Sequence, residues 1–323
     1  MKLLLIIGLS VLALLLLAFG AALAFGGPGQ PSTMASIGDP FKTVDFSSLP
    51  SLERYRARDG AQLGFRHYAP PGVIRGSAIL IHGSSANSVS MHPLARGLAA
   101  AGFEVFTLDI RGHGDSGPKG QIAYIGQLED DLEDFAKSRV LAQPSTLVGL
   151  SAGGGFALRF AGSARQDLFS SYLLLSPYLR YDAPTFRQGG PEWAQVGIPR
   201  FLALRLLDGV GLRIFQGLPV TRFALSPEDQ NRLTPWYSFA LARNFQPHDD
   251  YQADIRQARR PMALVVGTAD ELFQADQFEN VFRSAGKPIP VRLVPGVGHV
   301  TLILAPEAIQ ATVETLECLQ KGS

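Results

Sequence analysis

A single serine stands between two glycines at the end of an apolar run, in the stretch LVGLSAGGGFAL at Leu147–Leu158. The apolar residues Thr146–Leu150 predict a buried strand, and the residues after Ser151 predict a helix. A serine at such a strand-turn-helix bend presents its hydroxyl beyond the carboxyl end of the strand, where Gly149 and Gly153 relieve crowding between strand and helix. The pattern therefore predicts Ser151 as the nucleophile of an acyl-transfer reaction.

Two more polar residues follow the ends of predicted strands. Asp270 comes after the apolar run Met262–Val266, and His299 comes after Val291–Val294. A serine hydroxyl needs a base to take its proton, and the base needs a third group to orient it. The chain order of nucleophile, acid and histidine suits a parallel sheet whose strand ends meet at one edge. We therefore predict Ser151, Asp270 and His299 as a catalytic triad.

Competing assignments are weaker because the other histidines and acids lack this placement. His82 follows a strand but precedes Ser151 in the chain, so we predict a structural, hydrogen-bonded role for it. The remaining residues are predicted to be structural or solvated: His67, His92, His248, Asp249, Asp250, Asp254 and Asp276. For Asp270 the alternative is a helix N-cap, and Glu271 is predicted to be a carboxylate in the first turn of that helix.

Acyl transfer also needs backbone N–H donors where negative charge develops on the carbonyl oxygen. Ala152, directly after the predicted nucleophile, supplies one donor at the start of a helix. The strand Ser77–Ile81 runs into His82-Gly83-Ser84-Ser85, so Ser84 is the predicted second donor. Ser84 and Ala152 are therefore the expected oxyanion-binding residues.

Short apolar runs alternate with helical patterns along most of the chain, which predicts an α/β fold with an eight-stranded, mostly parallel sheet and helices on both faces. The first two strands form a hairpin that turns at Asp59-Gly60. The predicted strands are Leu52–Arg58, Ala61–Tyr68, Ser77–Ile81, Glu104–Leu108, Thr146–Leu150, Tyr172–Leu175, Met262–Val266 and Val291–Val294. The predicted helices are Met91–Ala101, Ile125–Leu141, Gly154–Ala164, Glu271–Ala285 and Pro306–Gln320. The acidic side of the helix around LEDDLEDF, at Leu128–Phe135, is predicted to be solvated.

The alternation stops between residues 177 and 261, where prolines are frequent and no strand is convincing. We predict a helical cap there, inserted between the sixth and seventh strands, with residues 51–176 and 262–323 forming the core. The apolar patch Phe201–Leu207 is expected to line a slot for an acyl chain, although any packed helix needs such a stripe.

The N-terminal segment differs from the rest of the chain. Leu3–Phe25 carries no charge, and about 20 such residues cross a bilayer as a helix. Its length favours an uncleaved anchor over a signal peptide, although Ala22-Leu23-Ala24 offers a cleavage site. With Lys2 before the segment and no further positive charge until Lys42, the catalytic domain is expected outside the cytosol, or secreted after cleavage. Residues 26–50 are rich in Gly, Pro and Ser and are predicted to be a flexible linker.

The overall composition limits the partners and the covalent chemistry. The chain has 29 Lys and Arg against 28 Asp and Glu, so it has no basic surplus for a nucleic acid. Cys318 is the single cysteine, which excludes an internal disulfide and a cysteine metal cluster. The oligomeric state is left open.

The motifs LIHGSS, GLSAGG, GTADEL and GVGH, together with LDIRGHGDSG at Leu108–Gly117, resemble those of the α/β-hydrolase superfamily. Most similar is its monoacylglycerol lipase, lysophospholipase and serine aminopeptidase branch. The resemblance implies the α/β-hydrolase fold with a cap, and a turn supported by Asp109, Arg111 and His113. Two motifs depart from the branch: alanine follows the serine where its lipases often have methionine, and HGSS lacks the glycine-rich extension of HGGG enzymes. The first change keeps the backbone donor, and the second leaves the shape of the acyl pocket open.

These features predict a serine hydrolase that cleaves a carboxylic ester, such as a monoacylglycerol or lysophospholipid, without a metal or organic cofactor. A proline-iminopeptidase type of aminopeptidase is an alternative, although its expected cap carboxylates are scattered here, as Glu192, Asp208, Glu228 and Asp229. A non-catalytic binding protein on the same fold is a second alternative. Serine at the bend argues against an epoxide hydrolase or a haloalkane dehalogenase.

Overall fold

The computed structural model describes residues 1–190 and 192–321; Pro191, in the predicted cap, and Gly322 and Ser323, in the predicted core, lie outside the described residues. The strands are β1 Glu53–Arg56, β2 Gln62–Tyr68, β3 Ser77–Ile81, β4 Glu104–Leu108, β5 Ser145–Leu150, β6 Ser171–Leu175, β7 Ala194–Val196, β8 Pro219–Phe223, β9 Trp236–Ser238, β10 Met262–Gly267 and β11 Val291–Val294. The helices are α1 Lys2–Phe25, α2 Ala35–Gly38, α3 His92–Ala100, α4 Gln127–Lys137, α5 Ala152–Ala161, α6 Ile198–Gly209, α7 Asp229–Arg232, α8 Phe239–Asn244, α9 Tyr251–Gln257, α10 Phe278–Ser284 and α11 Pro306–Lys321.

Eight of the described strands form one sheet in the order β1-β2-β4-β3-β5-β6-β10-β11. The pairs β1–β2 and β2–β4 are antiparallel, and all other neighbours are parallel. The predicted α/β class, the eight strands and the leading hairpin are therefore confirmed. In this order β5, β6, β10 and β11 are consecutive, so the loops after them share one edge of the sheet.

Side chains of the parallel strands divide between two apolar clusters, one on each face of the sheet. In β5, Leu147 belongs to one cluster and Val148 to the other, as the two-residue period of a strand requires. Helices α4, α5 and α10 cover the first face, and α3 and α11 cover the second. Because both faces are covered, every residue of β3, β5 and β6 is buried. This burial explains why these strands are continuous apolar runs in the sequence.

The helix predicted at Glu271–Ala285 begins later than expected. Helix α10 starts at Phe278 after a single 3₁₀ turn, Ala275–Gln277. The residues before it pair with the insertion instead: Phe273 forms an antiparallel bridge with Phe186, and the N–H of Gln274 donates to the carbonyl of Thr185. Because a neighbouring segment takes up these backbone groups, the prediction for Glu271 as a first-turn carboxylate is wrong.

The insertion between β6 and β10 is not purely helical, so the expectation of a cap without strands is wrong. Strands β7, β8 and β9 form a separate antiparallel sheet, and α6, α7, α8 and α9 surround it. Strands β7 and β9 have three residues each, which is shorter than any alternating pattern that a sequence reading can resolve.

The acidic side of α4 is largely ion-paired, contrary to the prediction of a solvated face. Glu129 and Asp131 are buried; Glu129 pairs with Arg159, and Asp131 pairs with Arg111 at 2.7 Å. The other acidic residues of this helix bind arginines near the surface, namely Asp130, Glu133 and Asp134 with Arg58 and Asp130 and Glu133 also with Arg165. These arginines come from distant parts of the chain, so the periodicity of α4 alone did not reveal them.

Helix α1 is long and apolar enough to cross a membrane, with a mean hydropathy of 2.9 over its most apolar part. Residues 26–50, predicted as a flexible linker, contain regular structure: helix α2 and a 3₁₀ helix at Asp39–Thr43. Met34 is buried, and its N–H donates to the carbonyl of Ala224 in the insertion. This segment therefore packs on the folded domain, and the expectation of an irregular linker does not hold there.

Candidate active site

Ser151 occupies the bend between β5 and α5 in a conformation that side chains rarely adopt, with φ 54° and ψ −117°. Its N–H donates to the carbonyl of Leu175 at 2.9 Å. A Cβ at Gly149 would lie 2.1 Å from the carbonyl oxygen of Gly153, and a Cβ at Gly153 would lie 2.4 Å from that of His82. Only glycine fits at both positions, so the GLSAG pattern encodes the close approach that turns Ser151 out of the sheet.

Asp270 and His299 meet at the same edge of the sheet, in the loops after β10 and β11. Nδ1 of His299 and Oδ2 of Asp270 are 2.8 Å apart, and both side chains are almost fully buried. The other carboxylate oxygen, Oδ1, accepts the N–H groups of Leu272 and Phe273, each at 2.9 Å. These bonds resemble a helix N-cap but hold a loop, because α10 begins only at Phe278. The carboxylate is thus fixed on one side by the backbone and faces the imidazole with the other.

Electrostatics favour a charged carboxylate beside a basic imidazole. Burial raises the pKa of Asp270, but the charge of His299, its hydrogen bond and the two backbone N–H groups lower that pKa to a value below the ordinary one. Burial lowers the pKa of His299, whereas the charge and hydrogen bond of Asp270 and the charge of Glu271 raise it above the ordinary 6.5. The imidazole is therefore a stronger base than a free histidine.

Glu271 is a site residue that the sequence analysis assigned incorrectly. Its Oε2 accepts the backbone N–H of His299 at 2.9 Å, which ties the loop after β10 to the loop after β11. The ring of Phe273 contacts the imidazole edge-on, with 5.1 Å between the ring centroids. Adjacency to Asp270 was the only signal for Glu271 in the sequence, and a helix start explained it equally well.

The third contact expected of the triad, between His299 and Ser151, is absent among the described residues. Within residues 1–190 and 192–321, no hydrogen bond joins the Ser151 hydroxyl to the His299 ring. Active sites without substrate often hold such pairs loosely and tighten them only when substrate binds. The structure thus brings Asp270 and His299 together and places Ser151 after β5, at the same edge of the sheet; the triad itself stays a prediction.

The two predicted oxyanion donors lie beside this serine. A Cβ at Gly83 would lie 3.4 Å from Cβ of Ser151, so the loop after β3 lies directly against Ser151. Among the described residues, the N–H groups of Ser84 and Ala152 donate to no other group. Ala152 is also the first residue of α5, where the helix dipole favours negative charge. Both donors are therefore available to an incoming oxyanion.

The insertion holds the loop that carries Ser84. The indole N–H of Trp193 donates to the Ser84 hydroxyl at 2.8 Å. Ser85, whose φ is 69°, donates its N–H to the Tyr237 hydroxyl at 2.7 Å and its own hydroxyl to the carbonyl of Thr234 at 2.7 Å. These cap residues were not predicted, because their contacts to residues 84 and 85 span more than 100 positions of the chain.

Tyr237 also connects this loop to His113, in the turn that the family resemblance pointed out. The Tyr237 hydroxyl lies 2.5 Å from Nε2 of His113. Burial and the neighbouring His82 hold the pKa of His113 well below its ordinary value, so its ring is neutral. The hydroxyl accepts from Ser85 and is free to donate to His113, which satisfies all three buried groups. Through His113 and Tyr237, this turn thus supports the loop that carries Ser84 and Ser85.

We expect Tyr237→Phe to lower kcat for a soluble ester by about tenfold and to change KM little, because the loop carrying the Ser84 N–H loses its anchor. Stability should fall by about 1–3 kcal/mol, since the Ser85 N–H and a His113 nitrogen are left without partners in a buried site. Steady-state kinetics and thermal denaturation measure both. Tyr181→Phe, at an exposed tyrosine of the insertion, is the control. A loss of stability with unchanged kcat would refute this role for Tyr237.

The remaining histidines have structural partners, as the sequence analysis predicted. His82 accepts the N–H of Ile110 at its Nε2, with 3.3 Å between the nitrogens. The others lie away from the carboxyl ends of the parallel strands and pair as follows: His67 with Glu104, His92 with Tyr68, and His248 with Asp254.

The chain matches a known protein family over most of its length. The family model for serine aminopeptidase, S33, matches residues 72–303. A monoacylglycerol lipase of Mycolicibacterium smegmatis is 29% identical over 137 residues, 41% of this chain and 48% of that protein. A monoglyceride lipase of Saccharomyces cerevisiae is 28% identical over 163 residues, 45% of this chain and 51% of that protein. The alignments thus span only about half the length of these curated relatives.

A solved structure extends the likeness of the fold over most of the chain. The crystal structure of a soluble variant of the yeast monoglyceride lipase, in complex with a substrate analog, superposes with a TM-score of 0.61. That match is 19% identical and covers 87% of this chain and 98% of the other. At this identity the likeness concerns the fold.

Proposed function

Because the chain belongs to the serine aminopeptidase S33 family and has the α/β-hydrolase fold, we propose that it is a serine hydrolase that cleaves a carboxylic ester. One observation carries the proposal: the buried Asp270–His299 pair lies at the sheet edge where Ser151 is turned outward beside two free N–H donors. These groups support the proposal because acyl transfer requires a nucleophile, an oriented base and N–H donors for the oxyanion.

The proposed reaction uses each group at a defined atom. Nε2 of His299 takes the proton of the Ser151 hydroxyl as its oxygen attacks the ester carbonyl, while Asp270 holds the opposite ring nitrogen. The N–H groups of Ser84 and Ala152 bind the oxygen that becomes negative. The imidazolium then gives its proton to the leaving alcohol, which leaves an acyl group on Ser151. Water attacks that ester in the same way and regenerates the serine.

We propose a lipid-like ester as the substrate, such as a monoacylglycerol or lysophospholipid. The support is that both curated relatives are lipases for monoglycerides. The slot first expected along α6 is not part of this support, because Leu204 packs inside the insertion, whereas Leu202 and Leu206 face outward. We therefore expect the acyl-binding residues elsewhere around Ser151.

An aminopeptidase remains the weaker alternative. Two of the four carboxylates suggested for a peptide amino terminus have other partners: Asp208 accepts from Gln216 at 2.9 Å, and Asp229 accepts from Ser226 at 2.8 Å. Neither bond leads to the neighbourhood of Ser151. An ester therefore remains the substrate class that we propose.

We also propose that α1 is retained as a membrane anchor, with the catalytic domain on the exported side. The cleavage site expected at Ala22-Leu23-Ala24 lies in the last turn of α1. The folded domain binds this turn, because the Arg200 guanidinium donates to the carbonyls of Leu23 and Ala24 at 2.8 Å each. Lys2, before the apolar segment, favours a cytosolic N-terminus.

A fluorophosphonate probe tests the proposed chemistry, because it reacts only with an activated serine. We expect covalent labelling at Ser151, located by peptide mass spectrometry. Hydrolysis of a panel of monoacylglycerols, lysophospholipids and prolyl-anilides by the same preparation then separates the substrate classes. Absence of labelling would instead favour a non-catalytic binding protein, and turnover limited to prolyl substrates would favour the aminopeptidase.

A further inference from the structure

Helix α6 and the loop after it present an apolar surface to the outside of the protein. The helix contributes Ile198, Leu202, Leu206 and Val210 at its end, and the loop contributes Leu212, Ile214 and Phe215. Each side chain is between 51% and 72% exposed. The four helix positions recur every fourth residue and therefore share one face. We call these seven residues the α6 surface. A contiguous apolar surface of this kind marks an interaction site.

The opposite side of α6 is bound to the end of α1. Leu23 of α1 packs with Phe201, Leu204 and Leu207 in one small cluster. The chain leaves α1 through Gly26, whose carbonyl accepts the N–H of Arg200 at 3.2 Å. A Cβ at Gly26 would lie 2.8 Å from that same nitrogen, so the fit is close. The α6 surface is thus built next to the point where α1 ends.

Helix α1 itself contributes no buried residue over its 24 positions, its most apolar part included. The only environment that suits such a helix is the hydrocarbon of a bilayer or another apolar surface. The α6 surface continues this apolar character onto the folded domain. The α6 surface lies only one helix diameter, about 10 Å, from the end of α1, so a bilayer that takes up α1 lies close to it.

Cationic and aromatic residues border the two apolar regions. Arg213 lies in the loop of the α6 surface, and Arg222 lines a shallow cavity together with Phe25 and Trp236 at the end of α1. In the part of the chain that the structure describes, neither guanidinium has an ion pair or a side-chain hydrogen bond. Unpaired arginines suit lipid phosphates, and tryptophan is typical of the membrane interface.

We propose that the α6 surface rests in the membrane that α1 enters, with its side chains at the boundary of headgroups and acyl chains and with Arg213 and Arg222 at the phosphates. A helix lying in this plane buries its apolar face about 5–10 Å deep. The insertion, which also binds the loop of Ser84, then contacts the lipid directly and is not connected to the membrane by α1 alone. This inference does not depend on the proposed hydrolysis.

The test uses the full-length protein in vesicles of phosphatidylcholine and phosphatidylglycerol. Its intact mass, measured beforehand, must show that α1 is retained. In a Cys318→Ser background, an environment-sensitive NBD dye is attached at Val210→Cys or, as the matched control, at Val140→Cys. Val140 is an almost fully exposed valine before β5, at the edge of the sheet opposite to Ser151. We expect lipids with a nitroxide near the headgroup to quench the Val210 probe by about twofold or more and to leave the Val140 probe unchanged.

Two results would overturn the proposal. Equal quenching, or none, at the two positions would show that the α6 surface stays in water. The second result concerns the Val210 probe in detergent. If it is shielded from water to a degree that increases with protein concentration, and labelled lipid does not quench it, the α6 surface contacts a second copy of the chain. A Leu206→Glu, Ile214→Glu variant should at least halve the quenching at Val210, whereas labelling of Ser151 by fluorophosphonate should be unchanged. Loss of labelling with normal quenching would refute only the proposed function.

Discussion

Replacement of Ser151 by alanine is expected to lower turnover of a short p-nitrophenyl ester by at least about 10⁴-fold, because no other described hydroxyl stands at the bend after β5 to form the acyl-enzyme. The remaining N–H donors and the substrate contacts sustain only a small residual rate. The Ser151 hydroxyl makes no hydrogen bond among the described residues, so the melting temperature should change little. Steady-state kinetics and thermal denaturation measure the two effects.

Ser176 provides a matched control for this substitution. It follows β6, the next strand of the sheet, and is fully buried with a positive φ of 39°. Its hydroxyl also has no partner, so Ser176→Ala makes the same chemical change one strand away. Turnover should be retained in Ser176→Ala. Comparable activity in Ser151→Ala, or an equal loss in both variants, would remove Ser151 from the role of nucleophile.

Asp270→Asn should reduce kcat by about 10⁴-fold while leaving the fold intact. An amide keeps the shape of the carboxylate but no longer carries the charge that stabilises the imidazolium, and it can favour the wrong tautomer of His299. Asp276→Asn, at an exposed position before α10, is the control and should retain full turnover. Near-normal kcat in Asp270→Asn would show that another group orients the base.

The pH profile gives this prediction an independent readout. His299 acts as a base only when neutral, so the rate of the wild-type protein should fall as the pH drops through the raised pKa of this residue. Removal of the Asp270 charge lowers that pKa, and the acid limb should therefore move to lower pH. Glu271→Gln keeps an acceptor for the His299 N–H and removes only a charge. The Glu271→Gln variant should also move the acid limb of the pH profile to lower pH, with a much smaller loss of kcat than Asp270→Asn.

Predictions from local pattern agreed with the structure where the residues concerned are close in sequence or repeat regularly. The apolar runs of β3 and β4 were placed to the residue, because burial on both faces demands an unbroken hydrophobic strand. Strand β11, at the edge of the sheet and partly exposed, was also placed to the residue. The bend at Ser151 was readable for a similar reason, since only glycine tolerates the contacts at 149 and 153. Strand ends then indicated which polar residues share an edge, although the triad they form stays a prediction.

Other features were decided by contacts between distant segments. Glu271 was assigned to a helix, and it became a partner of His299 because Phe273 pairs with Phe186 of the insertion and delays α10. The acidic residues of α4 repeat like a solvated face, yet Glu129 and Asp131 are buried by arginines from elsewhere in the chain. A period in the sequence shows which side of a helix is polar, but not whether water or a guanidinium faces it.

The division between the two kinds of feature follows from how each is encoded. Backbone sterics and the alternation of burial act over a few residues, so the amino-acid sequence alone determined the core strands and the bend at Ser151. The hold of Tyr237 on the loop of Ser84, and the docking of α1 on α6, depend on hydrogen bonds and packing across more than 100 residues. Such contacts have no local signature, because each partner satisfies ordinary local rules until the fold brings the two together.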